Sequence, residues 1–228
     1  MRKFENVNAR NEASVKMSLN MLADKNTKVE DYRKAFDNLG RELGVLLASD
    51  SADVAADEIM LVCASEDADW LAKGVENGLG KGKTPLSVFW STRSVVYNDE
   101  GEKLEISPIV KSYEEPVKNC RLLIVVKSII SSSCVVKTQL TRLMGKFNPE
   151  RIVILAPVMY KDGMPNLMKE FPKAVSNRFE FLTFAVDEDR TPAGEVIPGI
   201  GGMVYPRLGL GDMNAKNSYI PQMVLERL

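Results

Sequence analysis

The amino-acid sequence predicts an α/β domain with a central, mostly parallel sheet and helices on both faces. Short, predominantly apolar runs at 59–63, 85–90, 121–126, 151–156 and 179–186 read as strands buried within the fold. Segments of helical periodicity separate most of them, which is the arrangement of β-α-β units. The 228 residues contain no internal repeat, low-complexity stretch or linker, so one domain over 1–228 is expected. Within it, 1–50 should form N-terminal helices, 91–113 a β-hairpin arm, and 187–228 a C-terminal hood and tail.

Composition narrows the function classes. Hydrophobic residues make up 45% of the chain and the net charge is −1, so no dense basic surface for nucleic acid or membrane is expected. The longest apolar run, Leu122 to Val126, is far too short to cross a bilayer. The opening "MRKFENVNAR" is polar and lacks the apolar core of a secretory signal, which points to the cytoplasm. There is no histidine, which removes Ser-His-Asp and Cys-His catalysis and most zinc sites. Cys63, Cys120 and Cys134 are widely spaced and read as small apolar side chains, neither disulfide partners nor metal ligands.

Each element follows from local pattern. Residues 11–23 form a short helix and 24–49 contain a long one. There Thr27 and Glu30 have capping-box spacing, and Val29, Tyr32, Phe36, Leu39, Leu43 and Leu46 mark the buried face. Ile59 to Cys63 is the first strand, and a helix over 68–77 stops at Gly78 and Gly80. The run at 85–90 is the second strand. Residues beyond it alternate around a polar turn at Asn98 to Gly101, the pattern of a hairpin arm. The run 121–126 is the third strand, buried on both faces, and the helix 133–146 turns Val136, Leu140, Leu143 and Met144 inward. A strand at 151–156, a helix around 166–170 and a strand at 179–186 complete the series. In such sheets ligands bind beyond the carboxyl ends of the strands, here the loops after Cys63, Val126 and Val186.

One of those loops carries the segment "VVKSIISSSCVVKTQ", 125–139, in which strand, polar turn and amphipathic helix follow one another as they do at phosphate sites. It has no glycine and no acid, and Lys127 stands where the strand ends.

The chain resembles the uracil phosphoribosyltransferase family, whose members have a type I phosphoribosyltransferase fold. "FLTFAVDEDRTPAGEVIPGIGG" is similar to that family's ending, where a D-E pair precedes Y-I-V-P-G-L-G-D-A-G-D-R. "DKNTKVEDYRKAFDNLGRELGVLLA" resembles its amino-terminal helix, and "ILAPVMYKDGMPNLMKEFP" its later strand and helix. Segment 125–139 falls where the family has D-P-M-L-A-T-G-G-S. The resemblance implies transfer of ribose 5-phosphate from phosphoribosyl pyrophosphate (PRPP) to uracil, through an oxocarbenium-like transition state.

That reaction has four requirements. The phosphate cradle falls on Ser131, Ser132, Ser133 and Cys134, where both glycines are gone; a residue held at φ > 0 would be strained, and a plain helix cap by Ser132 or Ser133 is the other reading. The acid facing the ribose becomes Lys127 and the proline after it Ser128. Lys127 can be read as an ion-pair partner of Asp187 or Glu188, or as a Schiff-base nucleophile. The arginine of the pyrophosphate loop falls near Cys63 or Ala64, followed by Glu66, Asp67 and Asp69. These acids read as complements to a helix dipole, or Glu66 and Asp67 as ligands for Mg2+, which matters only if the protein is active. The base-binding hood keeps Ile197, Pro198, Gly199, Ile200 and Gly201, with Gly202 in place of an aspartate. Tyr205 is available to stack on a ring, and Arg207 corresponds to the family's later arginine.

Three of the four requirements fail together. The expectation is a diverged homologue inactive toward PRPP, serving as an assembly subunit or a regulatory nucleobase or nucleotide binder. The alternative is an active transferase making UMP and pyrophosphate from uracil and PRPP. The family's arm makes dimers, so a homo-oligomer through 91–113, or a hetero-oligomer with a paralogue, is the partner expectation.

Overall fold

The computed structural model describes residues 1–97 and 99–228, with the backbone alone over 103–105. Asn98, at the expected tip of the arm, therefore lies outside the described residues. Strand β1 (Arg2–Phe4) leads to helices α1 (Glu12–Ala23) and α2 (Val29–Asp50). Strand β2 (Ile59–Ala64) passes through a π-helical turn (Ala68–Ala72) into α3 (Lys73–Leu79). Then come β3 (Leu86–Ser91), the ribbon β4 (Ser94–Tyr97) and β5 (Lys103–Ile106), β6 (Ile109–Glu114), β7 (Leu122–Val126), β8 (Ile129–Ile130) and α4 (Cys134–Met144). The rest is β9 (Arg151–Leu155), β10 (Val158–Tyr160), α5 (Gly163–Lys169), α6 (Lys173–Ser176), β11 (Phe179–Leu182) and β12 (Ala185–Asp187). The tail holds a hairpin, β13 (Asp189–Arg190) with β14 (Val196–Ile197), and short helices α7 (Val204–Arg207), α8 (Met213–Ser218) and α9 (Gln222–Leu225).

The main sheet has the order β11-β9-β7-β2-β3-β6, parallel throughout except for β6, which runs antiparallel to β3. Alternation along β2 shows why its apolar run is unbroken. Ile59, Leu61 and Cys63 pack with α1, α2 and α3, while Met60 and Val62 pack with α4 on the other face. No helix among the described residues is long and apolar enough to cross a membrane.

Helices α2 and α3 touch backbone to backbone. A Cβ on Gly40 would stand 2.2 Å from the Leu71 carbonyl oxygen, and one on Gly44 2.3 Å from that of Val75. From the other helix, Cβ atoms on Gly74 and Gly78 would meet the Asp37 and Arg41 carbonyls at 2.4 and 2.1 Å. Each helix thus carries two glycines four residues apart, the small-residue spacing that lets helix axes approach closely. Gly78 is consequently an interior contact; the helix ends at Gly80, whose φ of +66° is a left-handed stop.

Two other expectations are corrected. Thr27 makes no cap: α2 starts after an extended Lys28 with no side-chain cap bond, and Glu30 pairs with Arg33 at 3.5 Å. The strand expected over 179–186 is interrupted at Thr183 and Phe184. The same break occurs after β7, at Lys127 and Ser128, and after β9, at Ala156 and Pro157. The three continuations form a second sheet, β8-β10-β12, parallel like the first, with β1 antiparallel on its edge. Backbone bonds cross the breaks, from Lys127 N to Leu155 O at 2.9 Å and from Ala156 N to Leu182 O at 3.1 Å, so the sheet is creased rather than cut.

Candidate functional site

At the carboxyl ends of β2, β3 and β7 lies a cleft of about 460 Å³. One wall is the base of the arm, with Ser91, Arg93 and Ser107. The opposite wall is the hood, from Val196 to Tyr205, and the floor carries Glu66, Lys127 and Lys216.

The floor is a chain of alternating charge. Lys127 Nζ donates to Asp67 Oδ2 at 2.5 Å and Ser128 Oγ at 3.1 Å, and stands 3.5 Å from Glu66 Oε1. The Ser128 amide donates to the other Asp67 oxygen at 3.2 Å. Beyond Glu66, Lys216 Nζ stands 3.6 Å from Oε2 and donates to the Ser91 carbonyl at 2.7 Å. All four charged side chains are buried. Burial alone would pull the Lys127 amine down; Asp67 and Glu66 outweigh it and hold the amine above its ordinary 10.5. Burial likewise opposes ionisation of Glu66, but Lys127 and Lys216 hold it below its usual 4.5.

Several sequence expectations change here. Lys127 pairs with Asp67 and Glu66, not with Asp187 or Glu188. Its charged amine lacks the free electron pair that Schiff-base attack needs. Glu66 and Asp67 are engaged by lysines, and among the described residues no group of three or more Cys, Asp or Glu side chains is placed to hold a metal ion. Asp69 is no member of the floor: its carboxylate accepts from the Gln222 and Met223 amides, both at 2.8 Å, and so fastens the start of α9.

The serine loop is relaxed. Asn6 is the one non-glycine residue at positive φ among those described, so 131–134 carries no such strain. Ser133 occupies the N-cap position of α4 without capping it; its hydroxyl donates to Glu170 Oε1 at 3.1 Å. Lys137 shares that carboxylate at 2.5 Å and holds it below its ordinary pKa. The Ser131 carbonyl accepts from Arg190. Ser128 and Ser131 line the cleft, whereas Ser132 is exposed and Cys134 begins the helix behind it.

The hood is built differently. Gly199, Gly201 and Gly202 have φ of +58°, +71° and +105°, following a cis peptide between Ile197 and Pro198. A Cβ on Gly201 would lie 1.9 Å from Arg207 Nη1 and 2.5 Å from the Leu22 carbonyl oxygen. Arg207 faces away from the cleft, donating to Leu22 O at 2.9 Å, Gly201 O at 3.1 Å and Asp24 O at 2.7 Å. It stacks 4.1 Å from the Tyr32 ring, whose hydroxyl donates to Ile200 O at 2.9 Å. Buried Asp187 accepts from the Gly199 amide at 2.8 Å and from Arg2, while Glu188 pairs with Lys3 at 2.5 Å. Backbone groups that the resemblance would offer to a pyrimidine edge are thus engaged inside the protein. Ile200, Gly202 and Tyr205 reach the cleft; Gly199 and Gly201 are buried behind them, and Ile197 and Pro198 are exposed.

Arg93 and Lys216 were not legible as site residues. Lys216 arrives from a helix whose start is marked by Asp212, its side chain accepting from the Ala215 amide at 2.9 Å, but nothing in the local pattern says which sheet end that helix meets.

No family model and no curated protein matches the chain. Among solved structures, the AQ2163 protein from Aquifex aeolicus superposes with a TM-score of 0.62 over 86% of this chain and 94% of its own, at 17% identity. A hypothetical protein from Neisseria gonorrhoeae with bound ppGpp gives 0.44 at 15% identity over 67% of this chain and 81% of its own. The hypoxanthine-guanine phosphoribosyltransferase of L. donovani gives 0.38 at 12% identity over 67% and 77%. The last two likenesses are too loose to carry an argument. The first is a likeness of fold: this chain shares the α/β architecture of the AQ2163 protein, and its chemistry has to be read from its own residues.

Proposed function

We propose that the protein is a phosphoribosyltransferase-like protein without PRPP transfer activity, acting as an assembly subunit or as a regulatory binder of a nucleobase or nucleotide. The buried chain Lys216–Glu66–Lys127–Asp67 carries this reading. Both lysines of this network stand against carboxylates, Lys127 against Asp67 and Glu66 and Lys216 against Glu66, so their charge is offset where a transferase needs cations free for a pyrophosphate group. A lysine occupies the place of the acid that would favour an oxocarbenium ion, and at a separation of about 4–6 Å and intermediate dielectric reversing one charge changes the interaction by several kcal/mol. Incubation with labelled PRPP and uracil, with and without Mg2+, should give no UMP. UMP at ordinary enzyme rates would establish the alternative, an active uracil transferase. That alternative draws on the hood, which keeps its positive-φ glycine turns and presents Tyr205 to the cleft.

The arm supports self-association. The ribbon of β4 and β5 leaves Val95, Val96, Tyr97 and Ile106 exposed, and an isolated two-stranded hairpin is marginal in water. A second copy of this chain is the proposed cover. Sedimentation should find a dimer that Val96→Asp dissociates; a monomeric wild type at micromolar concentration removes this part.

A further inference from the structure

The hood is held at two places of unequal strength. Ile200 and Gly201 are gripped by Tyr32 and Arg207, and Tyr32 is wholly buried under the N-terminal helices. Gly199 is gripped from the other side. Its amide donates to Asp187 Oδ2 at 2.8 Å, and its carbonyl accepts from Arg2 Nη2 at 2.8 Å. Arg2 closes the ring on Asp187 itself, with Nε on Oδ1 at 2.7 Å and Nη2 on Oδ2 at 2.8 Å. Asp187 is fully buried and the Arg2 side chain nearly so. Arg2, however, stands on a three-residue strand that pairs along one side only, and its neighbours Lys3 and Phe4 are exposed. Short edge strands of this kind open at low free-energy cost, unlike the core that holds Tyr32.

We infer that Arg2 is a releasable latch for the hood: the N-terminal strand, by seating one guanidinium on Asp187 and Gly199, sets the position of the wall formed by Val196 to Tyr205. The bidentate fork is the reason arginine is required. It satisfies both carboxylate oxygens and still has an N–H for the Gly199 carbonyl, which a single ammonium cannot match in direction. Opening of β1 removes the only cation bonded to Asp187 among the described residues and one of the two bonds that hold Gly199. The cleft wall and the first residues of the chain are then one mechanical unit. This holds whatever molecule enters the cleft.

Amide hydrogen exchange followed by mass spectrometry on the full chain tests it without any ligand. In Arg2→Ala, exchange at Gly199 to Gly202 should quicken about tenfold or more, while β2, β7 and α2 keep their wild-type protection. Arg2→Lys should recover only part of that protection. If Arg2→Ala fails to fold because Asp187 is stranded, the double variant Arg2→Ala/Asp187→Asn removes both charges and should show the same local loosening. Unchanged exchange over 199–202 in a folded variant overturns the latch. So does an equal acceleration across the whole molecule, which would make Arg2 a general stabiliser.

Discussion

The serine loop at 131–134 and the glycine turn at 199–202 both border one cleft, and they differ in how tightly the backbone binds their residue types. The serine loop occupies ordinary φ/ψ space, its side chains are half-exposed, and its hydroxyl bonds run outward to Glu170. The glycine turn is held at positive φ, and a neighbouring guanidinium fills the place of a Cβ. The absence of glycine from the first brings no strain, because the backbone there stays in ordinary φ/ψ space. Loss from the second would collide with Arg207 and the end of α1. A glycine is therefore evidence for a demanding backbone only where something stands close to it.

Substitutions should widen or narrow that difference. The largest effect belongs at the root of the serine loop. Lys127→Met strands Asp67 in a buried site, while Glu66 keeps Lys216, and should cost about 3–5 kcal/mol in urea unfolding. The companion Lys127→Met/Asp67→Leu should recover most of it, and no recovery would mean that the pair is not coupled. The same lysine predicts a pH signature. Its folded pKa is raised above 10.5, so its contribution is complete below that pH and is lost as pH rises through the folded value. Wild type should then lose stability above pH 10.5 more steeply than the double variant.

Next comes Gly201→Ala, expected to cost about 2–4 kcal/mol from the left-handed backbone and the collision with Arg207. Ser133→Ala removes one partly exposed hydrogen bond and should cost about 1 kcal/mol or less. Ser132→Gly should stay within about 0.5 kcal/mol in thermal or urea unfolding. If it instead stabilised the chain by more than that, the loop would carry a strain its backbone angles do not show.

What the sequence disclosed and what it concealed divide along range. The parallel sheet, both helical layers and the arm were legible because apolar runs and their periods are local. The π-helical turn and the break at Thr183 were not, since Asp69 in the first bonds the start of α9 and Thr183 in the second bonds Pro157; the missing Thr27 cap is a local matter, α2 starting one residue later than the capping-box spacing implies. Lys127 illustrates this best. Its partners lie 60 and 61 residues away on the loop after β2, so charge pairing could not distinguish them from Asp187 and Glu188. One overlooked signal was available. The spacing of Gly40 with Gly44, and of Gly74 with Gly78, announces a close helix crossing once it is seen that neither pair ends a helix.

The crease through the sheet has a mechanical meaning. Because the breaks after β7, β9 and β11 lie level with one another, the three continuations turn out of the main sheet together and stay paired as one short sheet. That sheet holds the segment entering the serine loop on one side, and Asp187 with the first strand of the chain on the other. The serine loop and the anchor of the hood therefore hang from opposite ends of one short sheet, and a substitution inside that sheet would be felt at both borders of the cleft.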